Sequence, residues 1–249
     1  MVEPNNIYLG DSYELIKEIP DKSIDLIYTD IPYLIDDGGC SNNDLSRRAQ
    51  RLRNVELDDI RKGIDYSIFD EFCRVLKHIY IYIWCNKNQM LDIMNYFVKE
   101  KGCYMEVLCW CKTNPTPLTN NVWLPDIEYC LMFREKNCQL YGGYETKSKF
   151  FVSSINKQDK DNYGHPTIKP LEMVKNHLTN SSKENDIVFD PFLGSGTTCV
   201  AAKELGRKYI GIEINEKYFK IAKDRLNGIN AKGQMSLLET NFEQLDLFK

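Results

Sequence analysis

The sequence predicts an α/β fold in which a mostly parallel, doubly wound sheet is covered by helices on both faces. Short apolar runs rich in β-branched residues alternate along the chain with amphipathic stretches, which is the pattern of parallel strands joined by crossover helices. The chain has 249 residues, enough to bury one large core, and it contains no repeat at a fixed spacing. We therefore expect a single domain over residues 1–230 and a polar tail over residues 231–249.

The individual elements follow from the spacing of the apolar residues. Seven short apolar runs bounded by polar or turn-forming residues are predicted to be strands: 7–9, 24–28, 79–84, 105–111, 127–133, 187–189 and 209–212. Five stretches with apolar residues at helical spacing are predicted to be helices: 13–19, 66–76, 89–99, 171–178 and 197–205. Residues 34–62 lack clear periodicity and are predicted to be a long loop, of a kind that is usually functional or disordered, and residues 134–164 form a polar region with little periodicity.

Charge and cysteine content restrict the function classes. The formal net charge of −4 and the pI of about 5.5 do not indicate a nucleic-acid binder, so any DNA contact has to come from a local basic patch. The nine cysteines are scattered without a CxxC pair, which favours reduced thiols and no metal site. We expect a cytoplasmic protein, because the N-terminus lacks a signal pattern and the longest apolar run, 79–85, is too short to span a bilayer.

The segment VFDPFLGSGTT, residues 188–198, is typical of a ligand-binding loop between a strand and a helix. Gly194 and Gly196 allow the backbone to approach a ligand closely, but no Gly-Lys-Ser/Thr follows to grip a phosphate. Glu213 ends the next predicted strand, where its carboxylate can accept hydrogen bonds from both hydroxyls of a ribose. A ribose-containing ligand without a phosphate grip indicates S-adenosylmethionine. The alternative is a plain glycine turn with Asp190 as a cap.

Five segments, taken in order, resemble the β-group of DNA amino-methyltransferases: LGDSYEL, DLIYTDIPY, HPTIKP, FDPFLGSGTT and GIEIN. They lie within residues 7–33 and 165–226. The resemblance implies a seven-stranded, Rossmann-like methyltransferase sheet that is circularly permuted, so that this chain begins at the third strand. It also implies a small target-recognition insertion, which we place at residues 134–164.

The resemblance further implies which residues bind S-adenosylmethionine. Glu213 binds the ribose, and Asp11 lies near the adenine. Thr167 and Lys169, in the HPTIKP segment, close over the methionine end, and the alternative for Lys169 is a solvated surface lysine. The loop residues implied to contact the cofactor are Asp190, Phe192, Gly194, Ser195, Gly196 and Thr197.

By the same resemblance, DIPY corresponds to a catalytic tetrapeptide that is usually D-P-P-Y. An exocyclic amine is a poor nucleophile because its lone pair is delocalised into the ring. Asp30 and the peptide carbonyl of Ile31 can accept its two N–H groups, and Tyr33 can stack on a base flipped out of the duplex. Pro32 biases Ile31 towards extended geometry, so we expect the change to cost rigidity rather than chemistry. The alternative is a strand that ends in an Asp-containing proline turn.

Aspartate at the first position of the tetrapeptide resembles the enzymes that methylate adenine N6. We therefore expect a site-specific, adenine-specific DNA methyltransferase of the kind found in restriction-modification systems. Two alternatives stay open: a cytosine-N4 methyltransferase, and a clamp-tethered DNA-binding protein whose catalytic motif has degenerated at Ile31.

Double-stranded DNA is the expected partner. Four arginines in the loop after the tetrapeptide are candidates for phosphate contacts, although they could also form a solvated helix face: Arg47, Arg48, Arg51 and Arg53. Lys112 lies in the segment CWCKTNPTP, which resembles a family segment near the target pocket.

The last residues contain a second candidate interaction site. The tail segment QLDLF, from Gln244 to Phe248, resembles the pentapeptide by which bacterial replication proteins dock on the sliding clamp. The alternative is a tail that packs on its own domain. We expect a monomer or a homodimer, and no membrane partner.

Overall fold

The computed structural model describes residues 2–34, 63–115, 123–155 and 168–229 of the chain. These residues form one eight-stranded sheet. Its strands are β1 (Asn6–Leu9), β2 (Leu26–Asp30), β3 (Tyr80–Cys85), β4 (Tyr104–Lys112), β5 (Ile127–Arg134), β6 (Phe150–Ser153), β7 (Ile187–Asp190) and β8 (Lys208–Glu213). The order across the sheet is β1-β8-β7-β2-β3-β5-β4-β6. β5 is antiparallel to both of its neighbours and the other pairs are parallel, which confirms a mostly parallel sheet.

The helices pack on both faces of this sheet, as in a doubly wound fold. They are α1 (Ser12–Leu15), α2 (Ile68–Val75), α3 (Met90–Met94), α4 (Leu171–Ser181), α5 (Thr197–Glu204) and α6 (Glu216–Leu226). A 3₁₀ turn, Ile16–Glu18, follows α1, and a π-helical turn, Asn95–Glu100, follows α3. One core cluster joins one face of the sheet to α2 and α3, and a second joins the opposite face to α4 and α5.

The central strands β2 and β3 are buried on both faces, which explains their continuous apolar sequences. Ile27 and Ile81 point into the first core cluster, whereas the alternate residues Tyr28 and Tyr82 point into the second. The central position of β2 matters for the site, because this strand ends at Asp30.

The strand order shows the predicted permutation. β7, which precedes the glycine loop, lies next to β8, and β8 lies next to β1, the first strand of the chain. If the two ends of the domain were joined, β7, β8 and β1 would follow one another outwards along the sheet. The chain then crosses to β2, on the other side of β7. The chain therefore begins at the third strand of that series, as the resemblance implies.

Two elements are additional to those predicted from sequence. β6 adds an eighth, edge strand within residues 134–164, where we predicted no strand, and its Phe150 and Val152 are exposed. Its sequence, Phe-Phe-Val-Ser, does not alternate between apolar and polar residues and lies within a largely polar segment. α6 is the second addition, and it is capped by the preceding Asn215, whose side chain accepts hydrogen bonds from the backbone N–H groups of Lys217 and Tyr218.

Several sequence predictions concern residues outside the described ranges, including nearly all of the loop 34–62 and the tail 231–249. Within the described ranges, the eight cysteines are free. In the same residues, no helix has the length and apolar character needed to cross a bilayer. Clusters of three or more His, Cys, Asp or Glu side chains suited to a metal ion are also absent from this part of the chain.

Candidate active site

The glycine loop after β7 is fixed by hydrogen bonds to Glu213, at the end of β8. The backbone N–H of Gly194 donates to one oxygen of Glu213 (2.7 Å), and the N–H of Asn215 donates to the other (2.8 Å). Burial raises the pKa of Glu213, and these N–H groups oppose that rise. Each carboxylate oxygen has two lone pairs, so Glu213 can hold the loop and still accept from a ribose.

Gly196 is required at its position for two reasons. Its φ angle of 82° lies in the left-handed region, and a Cβ atom there would come within 2.9 Å of the Cβ of Ala222 on α6. Helix α6 therefore packs directly against the loop.

Arg225, on the same helix, is a site residue that sequence reasoning missed. Its buried Nη1 donates to the carbonyl oxygen of Ser195 (2.6 Å), to the Ser195 hydroxyl (3.0 Å) and to the Thr197 hydroxyl (2.9 Å). The Ser195 and Thr197 hydroxyls thus contact Arg225, and the sequence contains no motif that would have identified this contact.

Three further predicted cofactor residues lie at the same edge of the sheet. Asp190 is buried at the end of β7, and burial raises its pKa to about 7. The ring of Phe192 packs edge-on against Tyr13, with 6.5 Å between centroids. Asp11 is exposed, caps α1 by accepting from the N–H of Tyr13 (2.8 Å), and follows Gly10, whose N–H donates to the carbonyl oxygen of Glu213 (2.9 Å).

The tetrapeptide continues β2 at the centre of the sheet. Ile31 is 1% exposed and belongs to the hydrophobic core, and its N–H donates to the carbonyl oxygen of Trp84 on β3 (3.2 Å). The isoleucine side chain therefore points into the core, and the N–H that proline would lack has a partner. The amide of Gln89 donates to the carbonyl oxygen of Pro32 (2.9 Å) and fixes the next residue.

Both oxygens of the Asp30 carboxylate have a donor. The hydroxyl of Tyr33 donates to Oδ1 (2.9 Å), and the ammonium of Lys169 donates to Oδ2 (2.5 Å). Burial raises the pKa of Asp30, and the positive charge of Lys169 opposes that rise. Burial also raises the pKa of Tyr33 well above its usual value, so this hydroxyl stays protonated and acts as a donor.

Lys169 is the centre of a buried charge network. Its side chain is 9% exposed, and Nζ lies 2.5 Å from Asp30, 3.0 Å from Glu128 on β5, and 5.0 Å from the centre of the Trp84 ring. Burial alone would lower the pKa of Lys169, but Asp30 and Glu128 raise it well above its usual value. Lys169 is therefore a buried ammonium and not a solvated surface lysine.

Glu128 connects this network to Lys112. The Lys112 ammonium lies 2.5 Å from Glu128 Oε1 and 5.1 Å from the centre of the Trp110 ring. Burial alone would raise the pKa of Glu128, but Lys169 and Lys112 outweigh it and lower the pKa to about 2. Glu128 was not predicted, because neither of its lysine partners is close to it in sequence.

A hydrogen-bonded cluster under the site supports Trp84. Its indole N–H donates to the hydroxyl of Tyr28 (2.9 Å), which shares a hydrogen bond with Nδ1 of His177 on α4 (3.0 Å). Burial lowers the pKa of His177 to about 4, so its imidazole is neutral at physiological pH.

The structure thus brings most of the predicted site residues to one edge of the sheet, at the carboxyl ends of β1, β8, β7 and β2. Six of the predicted site residues are not part of this group: Lys112, Thr167 and the four arginines. Lys112 is described, but it is paired with Glu128. Outside the described ranges lie Thr167 and the arginines Arg47, Arg48, Arg51 and Arg53. The predicted clamp-binding segment 244–248 also lies outside them.

Comparison with known proteins identifies the family. The sequence profile of an N6/N4 DNA methylase family matches residues 24–224. The Type II methyltransferase M2.LlaDCHI of Lactococcus lactis subsp. cremoris is 33% identical over 240 residues, which cover 88% of this chain and 87% of that protein. The Type II methyltransferase M.HinfI of Haemophilus influenzae is 30% identical over 251 residues, covering 90% of this chain and 69% of that protein.

Solved structures agree with the sequence comparison. The complex of M1.HpyAVI with SAM is 27% identical and has a TM-score of 0.63, with 89% of this chain and 99% of that chain covered. The cytosine-N4-specific PvuII DNA methyltransferase, at 17% identity and a TM-score of 0.67 over 90% of this chain and 87% of that chain, shares the fold. From the profile match and the identity to these relatives, the chain belongs to the N6/N4 DNA methylase family.

Proposed function

We propose that this DNA methylase transfers the methyl group of S-adenosylmethionine to N6 of an adenine that is flipped out of duplex DNA. The observation that carries the proposal is the position of Asp30 and Tyr33. They follow β2, which pairs with β7, and β7 leads directly into the glycine loop. The groups that accept the target amine and the loop that binds the methyl donor thus lie on hydrogen-bonded neighbouring strands.

The residues at the edge of the sheet fit S-adenosylmethionine. The left-handed glycines Gly194 and Gly196 give a ligand access to the loop backbone, Glu213 has free lone pairs for ribose hydroxyls, and Asp11 offers an exposed carboxylate. M1.HpyAVI, a structural relative, was solved as a complex with SAM. When bound, this cofactor supplies a methyl group on a sulfonium sulfur.

The chain's own residues provide the environment for the amine. Asp30 accepts one N–H of the target amine and the carbonyl of Ile31 accepts the other, which favours a pyramidal nitrogen with an available lone pair. Tyr33 stacks on the flipped base and offsets part of the few kcal/mol that unstacking costs. Catalysis then depends mainly on holding the amine in line with the methyl group.

Adenine is the favoured base because Asp, and not Ser, occupies the first position of the tetrapeptide. The alternative of a degenerate motif receives no support, since the Ile31 side chain is in the core and its N–H is paired. Duplex DNA is the proposed substrate, as for Type II methyltransferases. In a bacterium such an enzyme acts in the cytoplasm, where the DNA is.

The test is product analysis with labelled S-adenosylmethionine and DNA of mixed sequence, followed by separation of the nucleosides. We expect labelled N6-methyladenine. Labelled N4-methylcytosine would overturn the choice of base, and absence of any methylated base would overturn the proposed activity.

Replacing the Asp30 carboxylate should separate chemistry from cofactor binding. We expect Asp30→Ala to lower methyl transfer by at least about a hundredfold, since an acceptor at the reacting atom is lost, and to leave the Kd for S-adenosylmethionine within about threefold of the wild type. Asp92→Asn, an exposed carboxylate on α3, is the control and should behave as the wild type. An active Asp30→Ala protein would refute the mechanism.

A further inference from the structure

The Asp30 carboxylate carries an ammonium where the proposed reaction requires an amine. Lys169 Nζ donates to Oδ2 at 2.5 Å, and the Tyr33 hydroxyl donates to Oδ1 at 2.9 Å. An ammonium at Oδ2 occupies one lone pair of that oxygen and neutralises the charge of the carboxylate, which makes Asp30 a weaker acceptor for the N–H of an aromatic amine. The Lys169 ammonium therefore opposes binding of the target amine to Asp30.

Lys169 has a second carboxylate within reach. Glu128 Oε2 lies 3.0 Å from the same Nζ, within ion-pair distance. That oxygen is buried and faces Lys169 in an ion pair that is longer than the 2.5 Å contact of the same ammonium with Asp30. A small movement of the ammonium from Asp30 towards Glu128 would shorten this second contact and free Oδ2.

The rest of the network keeps Glu128 ready for this exchange. Lys112 holds the other oxygen, Oε1, at 2.5 Å, so the carboxylate is anchored on one side and faces Lys169 with the other. Trp84 lies under the ammonium, with its ring centre 5.0 Å from Nζ, and provides a surface that favours a cation. Both carboxylates and the Trp84 ring thus meet at one lysine.

We propose that Glu128 is a positioning residue for base capture, which takes over the Lys169 ammonium when the target amine binds to Asp30. The inference rests on the proposed function, because it assumes that an amine binds to Asp30. No bond is made or broken in this step, and the four charged groups stay neutral in sum, with two carboxylates and two ammonium groups before and after the exchange.

The proposal makes a specific prediction about loss of Glu128. In Glu128→Gln, Lys169 has Asp30 as its one carboxylate within reach among the described residues, so it binds there more strongly and opposes the base. We expect kcat/KM for DNA to fall by at least about tenfold, while the Kd for S-adenosylmethionine changes less than about threefold. Glu128→Asp keeps the charge but retreats by one methylene, and it should show a smaller loss.

The decisive experiment is a double-mutant cycle between Glu128 and Lys169, measured as kcat/KM for DNA at saturating S-adenosylmethionine. If Glu128 acts by removing Lys169 from Asp30, replacing Glu128 should have little effect on kcat/KM in a protein that already lacks the Lys169 ammonium. Glu128→Gln combined with Lys169→Met should therefore match Lys169→Met alone within about twofold. Glu106, on the neighbouring strand β4, is half-buried like Glu128 and pairs with the exposed Lys149 (2.5 Å), so Glu106→Gln is the matched control and should behave as the wild type.

Several outcomes would overturn the inference. The first is a double variant whose kcat/KM falls by the product of the two single losses. The second is a wild-type kcat/KM in Glu128→Gln, and the third is no measurable methyl transfer by Lys169→Met. If Glu128→Gln does not fold, the same cycle with Glu128→Asp decides by the same criteria. A wild-type protein that forms no methylated base overturns the proposed function and this inference together, whereas an active wild type with multiplying losses overturns this inference alone.

Discussion

Ile31 provides two interactions that a proline in its place would lose. Its side chain is 1% exposed within the core, and its N–H donates to the carbonyl oxygen of Trp84. The sequence led us to expect that replacing proline would cost rigidity. The structure shows how the position is stabilised by other means, through one more hydrogen bond between β2 and β3 and through burial of an aliphatic side chain.

Restoring the more usual proline should therefore destabilise this protein. Ile31→Pro leaves the Trp84 carbonyl without its donor and removes buried aliphatic groups, so we expect the free energy of unfolding to fall by about 2–4 kcal/mol. Urea denaturation measures the change. Ile31→Val keeps the N–H, removes one methylene, and should cost about 1 kcal/mol. A proline variant as stable as the valine variant would contradict this account.

At the scale of single elements, α6 supports the glycine loop through specific contacts of its own. Ala222 lies close to the position of a Cβ at Gly196, and Arg225 donates to Ser195 and Thr197. Three hydrogen bonds from one buried guanidinium nitrogen fix the loop before any ligand binds.

Shortening this contact should weaken cofactor binding. Arg225→Lys ends one bond short of Nη1, so its ammonium cannot reach Ser195 and Thr197 from the same backbone position, and we expect the Kd for S-adenosylmethionine to rise about tenfold or more. Isothermal titration calorimetry gives the Kd. Lys223→Met, on the exposed side of the same helix, serves as the control and should bind as the wild type. Unchanged affinity in Arg225→Lys would show that the loop keeps its shape without this side chain.

The sequence predicted elements with a strong local pattern and missed those without one. All seven predicted strands are present, because each is a short apolar run between turn signals. β6 was missed because it is a four-residue edge strand with exposed side chains. The same reason applies to the site. Asp30 and the glycine loop have recognisable motifs, whereas Glu128 and Arg225 act through partners distant in sequence, and only the tertiary fold brings these together.

For the whole molecule, two buried groups with shifted pKa values oppose each other in the pH dependence of stability. Burial raises the pKa of Asp190 from 3.8 to about 7, so the folded state binds its proton more readily and stability rises as the pH falls towards 4. Burial lowers the pKa of His177 from 6.5 to about 4, so the unfolded state binds its proton more readily and stability falls over the same range.

These opposite contributions should become visible when either group is removed. Between pH 6.5 and 4, Asp190→Asn should lose stability on acidification, because it keeps His177. His177→Gln keeps Asp190 and should therefore gain stability relative to Asp190→Asn over the same range. One pKa unit corresponds to about 1.4 kcal/mol, so the two variants should diverge by several kcal/mol. Urea denaturation at a series of pH values measures this, and parallel pH profiles would contradict the assignment.

The pairing of β2 with β7 also has a consequence for how such a protein can diversify. Because these adjacent parallel strands lead to the proposed acceptor residues and the proposed cofactor loop, the sheet ladder, at about 4.8 Å per strand, would set the spacing between the two reaction partners. The segments that read DNA can then change in length or be exchanged without moving the reacting atoms. One rigid chemical centre can in this way serve many recognition sequences.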